Sequence, residues 1–160
     1  MADNFWTSAT VEPKRNYRFK VAITGLDGTA VWFAKSADKP KFDQDVLEHD
    51  FLNHKFKFPG RLKWIDVTVT LVDPVQPDAM AATLKMISDA GYEIPTSKDR
   101  GIGTMSKEDS IISKVEIIQV DAAGDRLETW ELKNAFLKNA EFEKLDYGNE
   151  DMSTITLTFA

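Results

Sequence analysis

His49 and His54, flanked by Glu48 and Asp50, form the one cluster in the sequence whose residue types resemble a metal site. Imidazole and carboxylate are ordinary zinc ligands, but they must converge on one point. The spacing would set both imidazoles on one side of a helix. The surroundings read instead as an arm or strand, where an odd separation points two side chains to opposite faces. A solvated polar loop is therefore the favoured reading, and no metal is expected.

Nucleophilic catalysis finds no better support. Two histidines are the whole supply of bases for a Ser-His-Asp triad, and there is no Gly-x-Ser-x-Gly elbow. Gly101-Ile102-Gly103 lacks the third glycine and the preceding strand of a dinucleotide fingerprint, and no Gly-Lys-Ser/Thr phosphate loop occurs. Acidic pairs such as Glu108/Asp109, Glu141/Glu143 and Glu150/Asp151 could serve acid/base or calcium chemistry. No ligand loop of suitable spacing surrounds them, so they read as solvated surface. The expectation is a protein with no catalytic, cofactor-binding or metal-binding residues.

Two features remain. The run Lys55-Phe56-Lys57-Phe58-Pro59-Gly60-Arg61-Leu62-Lys63-Trp64 interleaves cations with aromatics. That pattern can hold single-stranded nucleic acid, but a strand with one core face and one solvated face, or a protein interface, is favoured. The second feature is a set of three segments with few local partners. They are the N-terminal segment 1–14, the arm 41–54 and the polar loop 92–110, and each is expected in subunit contacts.

The elements that position these residues are mostly strands. Tyr17, Phe19, Val21 and Ile23 alternate with polar residues, and a hairpin across Leu26-Asp27-Gly28 is expected to lead into a strand from Ala30 to Ser36. Lys39-Pro40 breaks that ladder. Residues 41–58 read as an extended arm with one or two short strands. Ile65, Val67, Val69 and Leu71 then alternate with Trp64, Asp66, Thr68 and Thr70 in a clear strand, which ends at Asp73-Pro74. From about Pro77 to Ala90 the period becomes helical, with Met80, Leu84 and Ile87 on one face, Asp78 near the start and Gly91 as terminator. Strands follow at Lys114 to Asp121, Arg126 to Lys133, Phe136 to Glu143 and Ser153 to Phe159. The fold class is mainly β: a small β-barrel or sandwich of about seven or eight mostly antiparallel strands, with one α-helix packed against it, in a single domain spanning 1–160.

Composition agrees. The chain has 160 residues, a net charge of −6, no cysteine and 42% hydrophobic residues. A disulfide framework is excluded, and tight sequence-independent binding of nucleic acid is disfavoured because it depends on cations. The first 80 residues carry 11 basic and 11 acidic side chains; the second 80 carry 9 and 15, so all the excess acidity lies there. The N-terminus does not read as a signal peptide, and no apolar run approaches a membrane span, so no membrane anchor is expected.

The order of motifs resembles a known family. The Tyr-Arg-Phe-Lys-Val strand comes first, then Ala34 to Pro40 with Lys39-Pro40, then Phe58 to Trp64 with Pro59-Gly60. Val72-Asp73-Pro74 and Gly91-Tyr92 follow, then Glu128 to Phe136 with Trp130, and finally Leu145-Asp146-Tyr147. Together they are similar to the tail tube proteins of contractile-tailed bacteriophages, related to the tube protein of type VI secretion. The resemblance covers nearly the whole chain. It implies hexameric rings stacked into a hollow tube inside a sheath, with no catalytic residues and no cofactors. It also implies a place in the virion tail after assembly in the host cytoplasm. The implied partners are other copies of the chain, the tail sheath protein, and baseplate and tail-terminator proteins, with DNA as a transient cargo. On that reading Glu116, Glu128, Glu131, Glu141 and Glu143 are candidates for an electronegative lumen that repels phosphate. Lys55, Lys57, Arg61 and Lys63 are candidates for inter-subunit contacts. A baseplate tube initiator or terminator, the tube of a contractile injection or type VI secretion system, and a monomeric ligand-binding β-barrel are the alternatives.

Overall fold

A computed structural model describes residues 12–24, 33–76, 78–92, 104–112 and 114–160. Nine strands fall into three antiparallel sheets among the described residues. Strands β1 (Phe19–Ile23), β6 (Val115–Val120) and β7 (Arg126–Leu132) form the first, in the order β1-β6-β7. The second joins β2 (Ala34–Ala37), β5 (Val67–Val72), β9 (Thr154–Phe159) and β8 (Leu137–Phe142), in that order. A two-stranded hairpin of β3 (Lys41–Phe51) and β4 (His54–Ile65) is the third. The helices that lie wholly within the described residues are α1 (Ala79–Asp89) and the single turn α2 (Lys107–Ser110).

Alternation builds the core. In β5 the side chains of Val67, Val69 and Leu71 are buried, and in β9 those of Ile155, Leu157 and Phe159. The register sets Val69 beside Leu157 and Leu71 beside Ile155, so both strands turn the same face inward. On the first sheet, Val21 and Ile23 of β1 lie opposite Ile117 and Val115 of β6. Val21, Ile23 and Val115 join the β5 and β9 side chains in one cluster, so the two sheets share a core as a sandwich does. All six residues of β6 are buried, the mark of a central strand covered on both faces. The sheets do not close into a barrel.

The strand alternation from Val67 onward and the four strands after residue 114 lie where the sequence predicts them. Other expectations are corrected. The first strand does not form a hairpin with the second: β1 pairs with β6 and β2 with β5, in different sheets. The proposed turn at 26–28 lies outside the described residues. Two exposed edges are thereby brought to distant partners, which local turn chemistry cannot foretell. The arm is not a region of short strands but a hairpin with strands of 11 and 12 residues, running on to Ile65. Trp64 and Ile65 consequently belong to that hairpin, and the core strand begins only at Val67.

Helix α1 starts where Asp78 accepts a hydrogen bond from the Ala81 amide at 2.9 Å, and it ends before Gly91, whose φ of +95° suits glycine. Pro77 lies outside the described residues. The buried face differs from the expected one. Ala79, Ala82 and Met86 pack on the core and Thr83 is fully buried, while Met80 and Leu84 stay 42% and 49% exposed. The inward face thus combines Ala79, Ala82 and Thr83 with Met86, and the Met80 and Leu84 stripe is left outside. In the expected loop 92–110, residues 93–103 lie outside the described residues. Its end forms α2, capped by Ser106, whose Oγ accepts from the Asp109 amide at 3.1 Å. No described helix is long and apolar enough to cross a membrane.

Candidate functional site

Among the described residues, the β3–β4 hairpin is the surface that carries the most uncovered apolar side chains. Its strands pack on each other and on little else. Every residue of both strands is exposed except Gly60, which is half-buried. Ten large apolar side chains stand on it uncovered: Leu52 at the turn, Ile65 at the end of β4, and Phe42, Val46, Leu47, Phe51, Phe56, Phe58, Leu62 and Trp64 between them. Apolar patches of this kind on a soluble chain mark contact surfaces.

The register shows how they are arranged. From Lys41↔Ile65 to Gln44↔Leu62 the pairing is regular, and it resumes at Val46↔Pro59, leaving Asp45 opposite both Gly60 and Arg61. This is a β-bulge, with one extra residue on β4. Glycine fits because a Cβ at position 60 would lie 2.7 Å from the Asp45 carbonyl oxygen. One extra residue shifts the parity of everything beyond it. Phe56, Phe58, Leu62 and Trp64 all have even numbers, yet Leu62 and Trp64 share a face with Phe42 and Val46, while Phe56 and Phe58 share the opposite face with Leu47 and Phe51. Strand β3 makes the same switch by breaking its own alternation between Val46 and Leu47. The expected strand with one apolar and one solvated face is therefore corrected: the hairpin is apolar on one side at its base and on the other at its tip.

The histidines are corrected with it. The chain turns at Leu52-Asn53, so His49 and His54 sit on neighbouring strands and share the tip's apolar face, contrary to the opposite faces expected of one continuous strand. Among the described residues there is no group of three or more side chains able to hold a metal.

Three of the four candidate inter-subunit cations are already paired inside the hairpin. Lys55 lies 3.7 Å from both Glu48 and Asp50, and Lys57 lies 3.7 Å from Glu48, all on the charged face of the tip. Lys63 lies 2.7 Å from Asp45, and this contact raises the lysine above its usual pKa. Arg61 has no carboxylate partner among the described residues.

The five carboxylates fall on three surfaces. Glu116 and Glu131 are directly opposed on the face of β6 and β7 turned from the core, with Lys114 3.0 Å from Glu116. Glu141 lies beside Thr156 on the outer face of the second sheet, among the hydroxyls of Thr68, Thr70 and Thr158. Glu143 continues that face and accepts the Thr154 amide at 2.9 Å and its hydroxyl at 2.7 Å, which lowers its pKa. Glu128 lies opposite Gln119, on the core side of its sheet. It holds Lys14 and Lys39 and accepts from the Trp130 indole, and these contacts, that to Lys14 foremost, hold its pKa down to about 2. Lys39 also donates to Gln119 at 2.8 Å, so Lys39, Trp130 and Glu128 staple the chain before β3 to the first sheet. Sequence reading missed this cluster, although Lys39 and Trp130 both stand in the motifs that carry the family resemblance.

The other motif positions have structural uses. Pro59 pairs with Val46 beside the bulge. Asp73 donates its amide to Ser153 at 2.9 Å, just before Pro74. Phe136 exchanges backbone hydrogen bonds with Ala160 at 3.1 Å. Tyr92 is half-exposed at 50%, and Tyr147 is fully exposed. An open groove of about 470 Å³ adjoins the hairpin base, and its walls include Pro40, Trp64, Trp130, Leu132, Phe159 and Ala160. Trp64 packs edge-on against Phe42 with ring centres 5.7 Å apart, so the apolar base runs on into the groove.

No protein-family profile matches the sequence, and comparison with curated proteins also finds no match. Solved structures do match. The fold is similar to that of the anti-feeding prophage tube-terminating cap, with a TM-score of 0.68 and 20% identity over 99% of this chain and 93% of that one. It is similar also to the sheath/tube terminator of an extracellular contractile injection system named PVC, with a TM-score of 0.68 and 20% identity over 94% of each chain. A chain of the PVC sheath-tube complex gives a TM-score of 0.66 and 19% identity over 94% of this chain and 88% of that one. The chain thus has the fold seen in tube and tube-terminating structures of contractile injection machines.

Proposed function

We propose that the protein is a structural, non-enzymatic component of the inner tube of a contractile tail or injection machine, assembling as hexameric rings that stack into a hollow conduit. The observation that carries this reading is the hairpin: a protruding ribbon with uncovered apolar side chains on both faces, in a chain whose fold matches such proteins over almost its whole length. Other copies of the chain, a sheath protein, and baseplate and terminator proteins are the partners. In a phage the conduit passes DNA during ejection, and the machine is part of the virion tail. An acidic lumen would let DNA pass without holding it. Glu128 is engaged by two lysines, and Glu116 is buried and paired with Lys114, which leaves Glu131, or Glu141 with Glu143, as the carboxylates to line it. The N-terminal segment 1–14, the arm and the loop 92–110 make the subunit contacts.

A second reading is a tube-terminating ring, favoured because two of the matched structures are terminators. Electron microscopy of the purified protein separates the two. Hollow tubes of unlimited length support the repeating tube component, and single closed rings support the terminator. A monodisperse monomer at high concentration would overturn both.

A further inference from the structure

We propose that each hairpin joins two other copies of the chain through one repeated contact, in which the apolar tip of one copy seats on the apolar hairpin base and adjoining groove of the next. The inference rests on the assembly reading above and specifies its contact. A partner lying flat on one side of the ribbon would cover either Phe42, Val46, Leu62 and Trp64 or Leu47, Phe51, Phe56 and Phe58, because the bulge at Gly60 sets the two groups on opposite faces. Both groups need cover, so the hairpin has a neighbour on each side.

The shapes say which neighbour. The tip is a projection: Leu52, at its turn, is 88% exposed and takes a φ of 51°, a left-handed conformation costly for leucine. A two-residue hairpin turn calls for a positive φ at this position, so the turn sets Leu52 at the very end of the ribbon. The base is its counterpart, continuous through Trp64 with the open groove of about 470 Å³ walled by Trp130, Leu132 and Phe159. Projection and receptacle lie on the same chain, so a second copy supplies what each lacks. Charge agrees. The cations flanking the tip patch, Lys55 and Lys57, are balanced by Glu48 and Asp50, and Lys63 near the base by Asp45. Arg61, beside the bulge, is the one of these four cations without a carboxylate partner among the described residues, so both patches are mainly apolar surfaces whose other cations are balanced within the hairpin. A tip-to-base contact is heterologous: each copy gives a tip and receives one, so the contact repeats around a closed ring or along a stack.

The chain contains no cysteine, which makes the contact directly testable. Phe56→Cys marks the tip and Leu62→Cys the base, each in the full chain. Assembled and treated with a short bis-maleimide, an equal mixture of the two variants should give covalent dimers, and neither variant alone should give any. A protein carrying both substitutions should give a ladder of higher multimers. Dimers from Phe56→Cys alone would show a tip-to-tip contact and overturn the proposal. If a variant fails to assemble, density of the wild-type assembly at the hairpin decides: a neighbour's tip in the groove upholds the contact, and an empty groove or another protein there overturns it. Should the wild-type protein form no rings or tubes, the assembly reading fails and the contact with it. Should it assemble without tip-to-base linkage, the contact alone fails.

Discussion

Glu128 shows how a single carboxylate is committed by its surroundings. Held by Lys14, Lys39 and the Trp130 indole, it titrates at about 2, below the roughly 4.3 of an unfolded glutamate. A depressed folded-state pKa contributes stability that is present above the unfolded value and lost as pH falls through the folded one. The thermal midpoint of the wild-type protein should therefore drop more steeply between about pH 4.3 and 2 than that of Glu128→Gln. Parallel curves would show that the cluster contributes nothing. Arg61 makes the contrasting case. Lacking a partner in its own hairpin, it is the cation free to meet a neighbouring subunit, so Arg61→Glu should reduce tube yield at low salt and do so less in high salt. Equal yields of wild-type and variant at low salt would remove Arg61 from the interface.

At the scale of elements, the hairpin and the helix each depend on one backbone detail. Gly60 allows the bulge, since a Cβ there would press on backbone and not on a flexible side chain. Gly60→Val should shift the register of β3 and β4 and abolish assembly, while the thermal midpoint of the unassembled protein stays near wild type, because the hairpin lies outside the core. A large fall in that midpoint would mean that the hairpin supports the sandwich after all. For α1, Asp78→Ala removes the side chain that accepts from the Ala81 amide, and urea unfolding of the unassembled protein should show a loss of about 1 kcal/mol. No loss would place the start of the helix elsewhere.

For the molecule as a whole, folding and assembly draw on separate apolar sets. Leu157 is fully buried in the core the two sheets share, so Leu157→Ala should cost about 3 kcal/mol and lower both stability and assembly. Phe56→Ser with Leu62→Ser removes surface that is uncovered in the single chain, so stability should hold while rings and tubes disappear from micrographs. If the double variant still assembles, the hairpin faces are not the interface. The same separation makes sense of Met80 and Leu84: an apolar stripe left outside by the helix is available to contacts beyond the chain.

How much of this was legible beforehand follows from how local each signal is. Burial that alternates every second residue is written in adjacent positions, so β5 and β9 and most of the core could be read directly, as could the absence of cysteine chemistry and the skew of acidity to the second half. The ordered motifs also pointed to the fold that the solved structures share. Strand partners were not legible, because pairing β1 with β6 depends on which edges meet after some ninety residues of intervening chain. Nor was the helix's buried face, because which stripe turns inward depends on how the helix is seated against strands distant in sequence. The hairpin is the sharpest instance. Its sequence alternates evenly from Phe56 to Trp64, and only the extra residue opposite Asp45, a property of two strands together, turns that even pattern into a surface that is apolar on both sides.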